Sequence, residues 1–444
     1  MFNNIFTTFT TSSLLLSLSI ALLAGLLMSR VVKIFKLPAV TGYLIAGILV
    51  GPMLLGSLKI DGIGITENEL EGLKILSELA LGFIAFAMGN EFRLTQLKKI
   101  GKQATVIGVF QAVFTTIIVD IALITLSFII PDNKFPLEAA IVLGAIATAT
   151  APAATLMVVK QYKAKGELTD ILLPVVALDD AVGLIVFAIS FGIAKSISNG
   201  GTDITGIIVE PLLEIVLSLT LGALLGFLFT LCEKFFHSRS KRMAVTVTFV
   251  MLAVAISSLK DLHINNIEIT FSSLLTCMML GTIFCNTCDF SEELMARADR
   301  WTAPILILFF VISGAELELG VFADLAIVLI GIVYIISRSI GKYFGANISA
   351  KITKCSPSIV KYLGITLLPQ AGVALGMAIK ASELAGDSGN LIRNITLFAV
   401  LIYEIVGPFL TKVSLTKAGD IDPSGRKSLR GVHPETNENT STNA

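Results

Sequence analysis

Charge is what this sequence lacks most. Only 15% of its 444 residues are charged, against 54% hydrophobic, where a soluble domain usually carries about 25% charged residues. No stretch before residue 415 is long and polar enough to form a separate soluble domain. Net charge is zero, so no bulk basic character points to nucleic acid. Histidines number three, too few to assign a pH sensor. The five cysteines include one CxxC, Cys285 and Cys288, with no second pair nearby. They read as incidental helix-end residues, with metal or redox chemistry as the alternative. Walker A and GxGxxG strand-turn-helix fingerprints are both missing, which argues against a bound nucleotide. ATP-driven work is thereby left without support, and energy must come from an ion gradient.

What is present is apolar run after apolar run, each near the roughly 17–25 residues that cross a bilayer. Thirteen segments read as crossings: 13–29, 37–56, 71–89, 104–130, 137–160, 170–195, 207–233, 243–259, 270–286, 301–318, 322–345, 358–380 and 390–411. Helix is the assignment that leaves no backbone group unpaired in lipid. Met1 to Ser13 carries no Lys or Arg ahead of the first run, and no small-residue cleavage site follows. That run therefore reads as a retained helix. If loops after odd-numbered segments and the tail share one side, that side holds 24 of the 33 Lys and Arg and the other holds 7. The positive-inside rule then puts the N-terminus outside and the C-terminus in the cytoplasm. The expectation is an all-α polytopic protein of the cytoplasmic membrane, surrounded by lipid. Residues 1–414 form the transmembrane domain and 415–444 a disordered cytoplasmic tail rich in Asn, Thr, Ser, Gly and charge,.

Two patterns recur at one spacing. Segment three ends GNEFRL (Gly89 to Leu94) and segment ten ends GAELEL (Gly314 to Leu319). Segment five carries TATAPAATL (Thr148 to Leu156) and segment twelve LLPQAGVALG (Leu367 to Gly376), each with a proline among small residues. Both pairs are offset by seven segments, and an odd offset turns one half upside down relative to the other. Inverted repeats with broken helices in matching places are a transporter architecture. Pro152 and Pro369 each remove a helical hydrogen bond and clash one turn back. Thr148 and Thr150 precede the first, and Gly372 follows the second. Segment five should unwind near residues 148–152 and segment twelve near Pro369, exposing carbonyls and half-helix ends.

Asp179 and Asp180 lie mid-membrane in VVALDDAVGLIVF of segment six. A carboxylate at that depth costs about 3 kcal/mol or more. The two point about 100° apart and so face different partners. A carboxylate holding either a proton or a small cation is the minimum device for exchange; helix packing alone is the bland alternative. Arg338 and Lys342, four apart in segment eleven, share one helix face, and one of them should neutralise an Asp of segment six. Snorkelling of Lys342 to the interface is the alternative. Gly341 and Gly345 thin the helix there and favour close approach. Glu78, Asp120 and Glu404 are further intramembrane acids, open to either a proton path or a structural role.

These residues resemble the monovalent cation/proton antiporter superfamily, in the branch of NapA and the Kef-type proteins. The matching stretches are LPAVTGYLIAGILVGP (Leu37 to Pro52), ELALGFIAFAMGNE (Glu78 to Glu91), ATATAPAAT (Ala147 to Thr155), LDDAVG (Leu178 to Gly183), RSIGKYFGA (Arg338 to Ala346) and LLPQAGVALGMA (Leu367 to Ala378). The resemblance implies thirteen helices, two inverted repeats with crossed broken helices, and an NhaA/NapA-like fold. Its core would be helices of about 71–195 and 301–411, with the remainder a dimerisation scaffold, in a homodimer working by elevator-like alternating access. It implies that Asp180 carries the cation or proton and that Asp179 pairs with Lys342. The double Asp resembles the electrogenic, sodium-type members. The Kef-type nucleotide domain is absent, which weakens a gated potassium-efflux reading. Ala151 stands where many relatives carry Ser or Asp, removing a side-chain ligand and leaving cation choice open.

The expectation is a sodium (or lithium)/proton antiporter serving pH homeostasis. It would be no enzyme, and would hold no cofactor and no metal beyond the transported monovalent cation. A potassium/proton antiporter of the same fold is the runner-up. A cation channel or sensor on this scaffold is less favoured, since a channel needs polar rings along a pore and no regular polar series runs along one helix.

Overall fold

The computed structural model describes residues 10–35, 39–58, 64–90, 92–97, 101–130, 135–151, 155, 158–159, 162–198, 210–259, 263–264, 267–268, 270–317, 320, 323–382, 384 and 387–421. In chain order the helices are α1 (Thr10–Ile34), α2 (Ala39–Val50), α3 (Glu67–Gly72), α4 (Lys74–Asn90), α5 (Leu94–Leu97), α6 (Lys102–Ile129), α7 (Leu137–Ile146), α8 (Glu167–Ser198) and α9 (Glu210–Phe235). They continue with α10 (Arg239–Ser257), α11 (Ser273–Thr287), α12 (Ser291–Ala315), α13 (Leu325–Ile352), α14 (Pro357–Thr366), α15 (Gly372–Ala381) and α16 (Ser388–Ala418). Between α10 and α11, β1 (His263–Ile264) and β2 (Ile267–Glu268) pair antiparallel.

Among the described residues, eight helices are long and apolar enough to cross a bilayer, and shorter apolar helices lie between them. On α6, Ile107, Val119 and Leu123 face inward while Val109, Ile117 and Ile121 face outward. A helix apolar on every side belongs in lipid. The chain is a multi-pass membrane protein.

Packing sorts the long helices into two groups. In one, α13 lies along α6, and α7, α8, α14, α15 and α16 gather round that pair. In the other, α1 and α12 pack on α2, and α9, α10 and α4 pack on α11. Helices α4 and α12, which the ranges 71–195 and 301–411 place with the core, make most of their contacts in the second group. Helix α16 runs to Ala418, past the boundary drawn at 414, because Leu415 is buried among Leu168 and Leu172 of α8. Gly419 then ends it with φ +88°, a conformation glycine adopts without penalty. Residues 422–444, the rest of the expected tail, lie outside the described residues.

Glycines set the closest helix approaches. A Cβ on Gly89 of α4 would overlap the Met278 carbonyl of α11, and one on Gly281 would overlap that of Phe86. Gly314 of α12 meets the Leu44 carbonyl of α2 in the same way, and Gly47 meets that of Val311. Gly183 of α8 lies against Thr148, and Gly407 of α16 lies against Pro369.

Candidate functional site

Both proline-bearing segments are interrupted. Helix α7 stops at Ile146 and residues 149–151 carry no helix; α14 stops at Thr366 and α15 starts at Gly372. The interruptions cross, and the Ala151 N–H donates to the Pro369 carbonyl at 2.8 Å. Pro152 itself lies outside the described residues. Two helix C-terminal ends thus meet inside the protein, and each leaves carbonyls without intrahelical partners and a partial negative charge.

One face of α13 answers both. Arg338 and Lys342 are fully buried. Arg338 donates to the carbonyls of Ala147 at 3.0 Å, Ala149 at 2.7 Å and Leu368 at 2.7 Å, and its guanidinium lies over the Tyr403 ring. Lys342 donates to the Thr148 carbonyl and to Thr150 Oγ1 at 3.0 Å, and places Nζ 2.5 Å from Asp179 Oδ2. Arg338, read from sequence as a second salt-bridge partner, therefore spends its donors on backbone oxygens instead. The interrupted segments expose carbonyls within reach of a planar five-donor fork, whereas the compact ammonium one turn on reaches the carboxylate.

Asp179 is buried on α8 and held from three sides. Oδ2 receives Lys342 and the Thr150 hydroxyl, and Oδ1 receives the Gln111 amide of α6. A buried charge needs this density of donors. Thr148 turns its hydroxyl back to the Ala145 carbonyl at 2.7 Å and offers its own carbonyl to Lys342. Gly341 and Gly345 bring α13 onto Thr115 and Gln111. Asp180 is the next residue on α8; its side chain lies outside the described residues.

The expected proton-path acids do not join this cluster. Glu78 is exposed and lines a cavity at the end of α4. Asp120 lies nine residues beyond Gln111, about 14 Å along a helix, with Oδ1 buried against Gly144 and without a hydrogen-bond partner among the described residues. Glu404 is buried, with both oxygens likewise unpartnered.

The family model "Sodium/hydrogen exchanger, transmembrane" matches residues 18–417. The chain belongs to the sodium/hydrogen exchanger family. It is 23% identical over 421 residues to the Na(+)/H(+) antiporter NhaS4 of Synechocystis sp., covering 90% of this chain and 96% of that one. It is 25% identical over 409 residues to a Na(+)/H(+) antiporter of Enterococcus hirae, covering 89% and 96%. It is also 21% identical over 402 residues to the K(+)/H(+) antiporter subunit KhtU of Bacillus subtilis, covering 89% and 92%. The solved structure of the sodium proton antiporter MjNhaP1 from Methanocaldococcus jannaschii shares the fold, with TM-score 0.72 at 17% identity over 90% of this chain and 97% of that one.

Three residues of this exchanger's site escaped the sequence reading. Gln111 stands in VFQAVFTT of segment four, and a glutamine at that depth is a polar signal of the same kind as the acids. Gln370, beside Pro369, donates to the Ile146 carbonyl and to the Tyr334 hydroxyl, both at 3.0 Å. Tyr403, under Arg338, donates to the Ile335 carbonyl at 2.7 Å. Tyr403 left no mark in the sequence, because a tyrosine in an apolar run reads as core.

Proposed function

We propose that this chain exchanges sodium or lithium for protons across the cytoplasmic membrane. The observation that carries the reading is the buried Asp179–Lys342 pair seated on the carbonyls of two crossed, interrupted helices. Asp180, one residue on, takes the cation or the proton but not both. Thr150 and the backbone carbonyls of the interrupted segment five supply oxygen ligands suited to a hard monovalent cation. Lys342 swaps between Asp179 and solvent as the site fills, so that net charge moves with each cycle.

The architecture proposed with it has thirteen crossings in two inverted repeats. Support comes from packing as well as from motifs. The glycine contact between segments three and nine recurs between ten and two, and the contact of Gly183 in segment six with Thr148 of segment five recurs as that of Gly407 in segment thirteen with Pro369 of segment twelve. Each is the same seven-segment offset. We place the N-terminus outside and the C-terminus in the cytoplasm, and read the protein as a homodimer in which the α6–α13 group slides against the other. It needs no cofactor and performs no enzymatic chemistry.

The test is proton flux in proteoliposomes holding a pH gradient, on adding sodium, lithium or potassium, for wild type and Asp180→Asn. A sodium response lost in the variant is expected. A response to potassium alone would move the protein beside KhtU. Retained electrogenic exchange in Asp180→Asn would sink the scheme.

A further inference from the structure

A cavity of about 500 Å³ opens between the two helix groups. Lys74 and Glu78 of α4 wall it on one side, and Phe191 of α8 and Lys380 of α15 on the other. Glu316, the C-cap of α12 and the first acid of GAELEL, stands in this wall and takes no part in the site described above.

Glu316 Oε2 lies 3.8 Å from Nη1 of Arg393, with side chains 7% and 15% exposed. Helix α12 packs with α1, α2 and α4, while Arg393 is on α16, which packs with α14 and α15. The ion pair therefore spans the seam between the groups. Charges held largely out of water attract strongly at this separation, yet 3.8 Å is too long for a direct hydrogen bond. They hold the groups together without interlocking. Parting them would strand two ions in a dry protein, but both line the same cavity as the polar Ser77, Ser382 and Asn390, so water can take up both.

We propose that Glu316 and Arg393 form a latch across the seam, closed in the arrangement described here. It must open each time the group carrying Asp179 and Asp180 slides. This rests on the alternating-access antiport proposed above. Glu316→Arg places two cations face to face across the seam and Arg393→Glu places two anions there, whereas exchanging the charges together restores the attraction.

Sodium-driven proton flux in proteoliposomes tests the latch in two ways. The double variant Glu316→Cys with Arg393→Cys is bridged by a reducible bis-methanethiosulfonate, with identically treated wild type as control for the native cysteines. Bridging should cut flux at least tenfold and reductant should restore it; bridged protein within twofold of its reduced form overturns the proposal. The second arm compares Glu316→Arg, Arg393→Glu and the two combined. Each single reversal should lose at least tenfold and the combination should return to within threefold of wild type. Equal loss in all three, or no loss in either single variant, overturns the latch. Absent flux in wild type would instead sink the antiport reading, so the two failures are distinguishable.

Discussion

Where the interrupted helices cross, Arg338 and Lys342 meet carbonyls that helix ends leave open, through charged hydrogen bonds. Where α4 crosses α11, glycines and phenylalanines make the contact. Gly89 and Gly281 let the backbones touch, and Phe86, Phe229 and Phe284 fill the flanks with Phe229 stacked on Phe284 at 4.1 Å. Apolar packing of this second kind is stiff and tolerates no added volume. Crossings of the first kind trade packing for donors that can be redistributed when a carboxylate changes partner. On the alternating-access reading proposed above, the moving chemistry belongs to one group and the fixed frame to the other.

The comparison breaks most sharply at Lys342. Lys342→Ala leaves Asp179 buried without its counter-ion, a change that costs about 3–5 kcal/mol in buried pairs. Thermal unfolding in detergent should show that loss, and sodium-driven flux should fall by about two orders of magnitude. Arg338→Lys keeps the charge but not the fork. Leaving two buried carbonyls unmet should cost about 2–4 kcal/mol at roughly 1–2 each, and hydrogen exchange around residues 145–151 should rise while that of α11 stays unchanged.

On the packed side, Gly281→Ala drives a methyl into the Phe86 carbonyl. Forced separation of the two helices should cost about 1–3 kcal/mol, read as a lower unfolding temperature with the half-saturating sodium concentration unaltered. A shifted sodium dependence would show that the frame is not passive. The smallest effect is expected at Asp420. Its carboxylate accepts from the Thr169 N–H and hydroxyl, both at 2.7 Å, capping the start of α8 from the far end of the chain. Asp420→Ala should cost about 1 kcal/mol, visible as faster hydrogen exchange at residues 167–170, and Asp420→Asn should cost less.

Much of the site was legible because lipid makes polar residues costly. Asp179, Lys342, Thr150 and the prolines of segments five and twelve stand out against apolar neighbours, and the structure brings Asp179, Lys342 and Thr150 into one cluster. Gln111 carried the same signal more faintly, because an amide costs less in lipid than a carboxylate. Glu404 carried it strongly and yet makes no hydrogen bond with the cluster among the described residues, since depth in the membrane says nothing about which neighbour a helix face meets.

The sequence by itself determined that the chain crosses a membrane repeatedly, which segments break, and that carboxylates and cations share the apolar interior. Those follow from single-segment physics: hydropathy, the missing N–H of proline, and the cost of charge in lipid. Tertiary structure alone decided that Lys342 rather than Arg338 takes the carboxylate, that Gln111 closes the third side of Asp179, and that Glu316 faces Arg393 across the seam. Each depends on the rotation and depth at which two helices meet. Glycine contacts between segments, such as Gly345 on Gln111 and Gly183 on Thr148, help set both, and no periodicity within one segment records them.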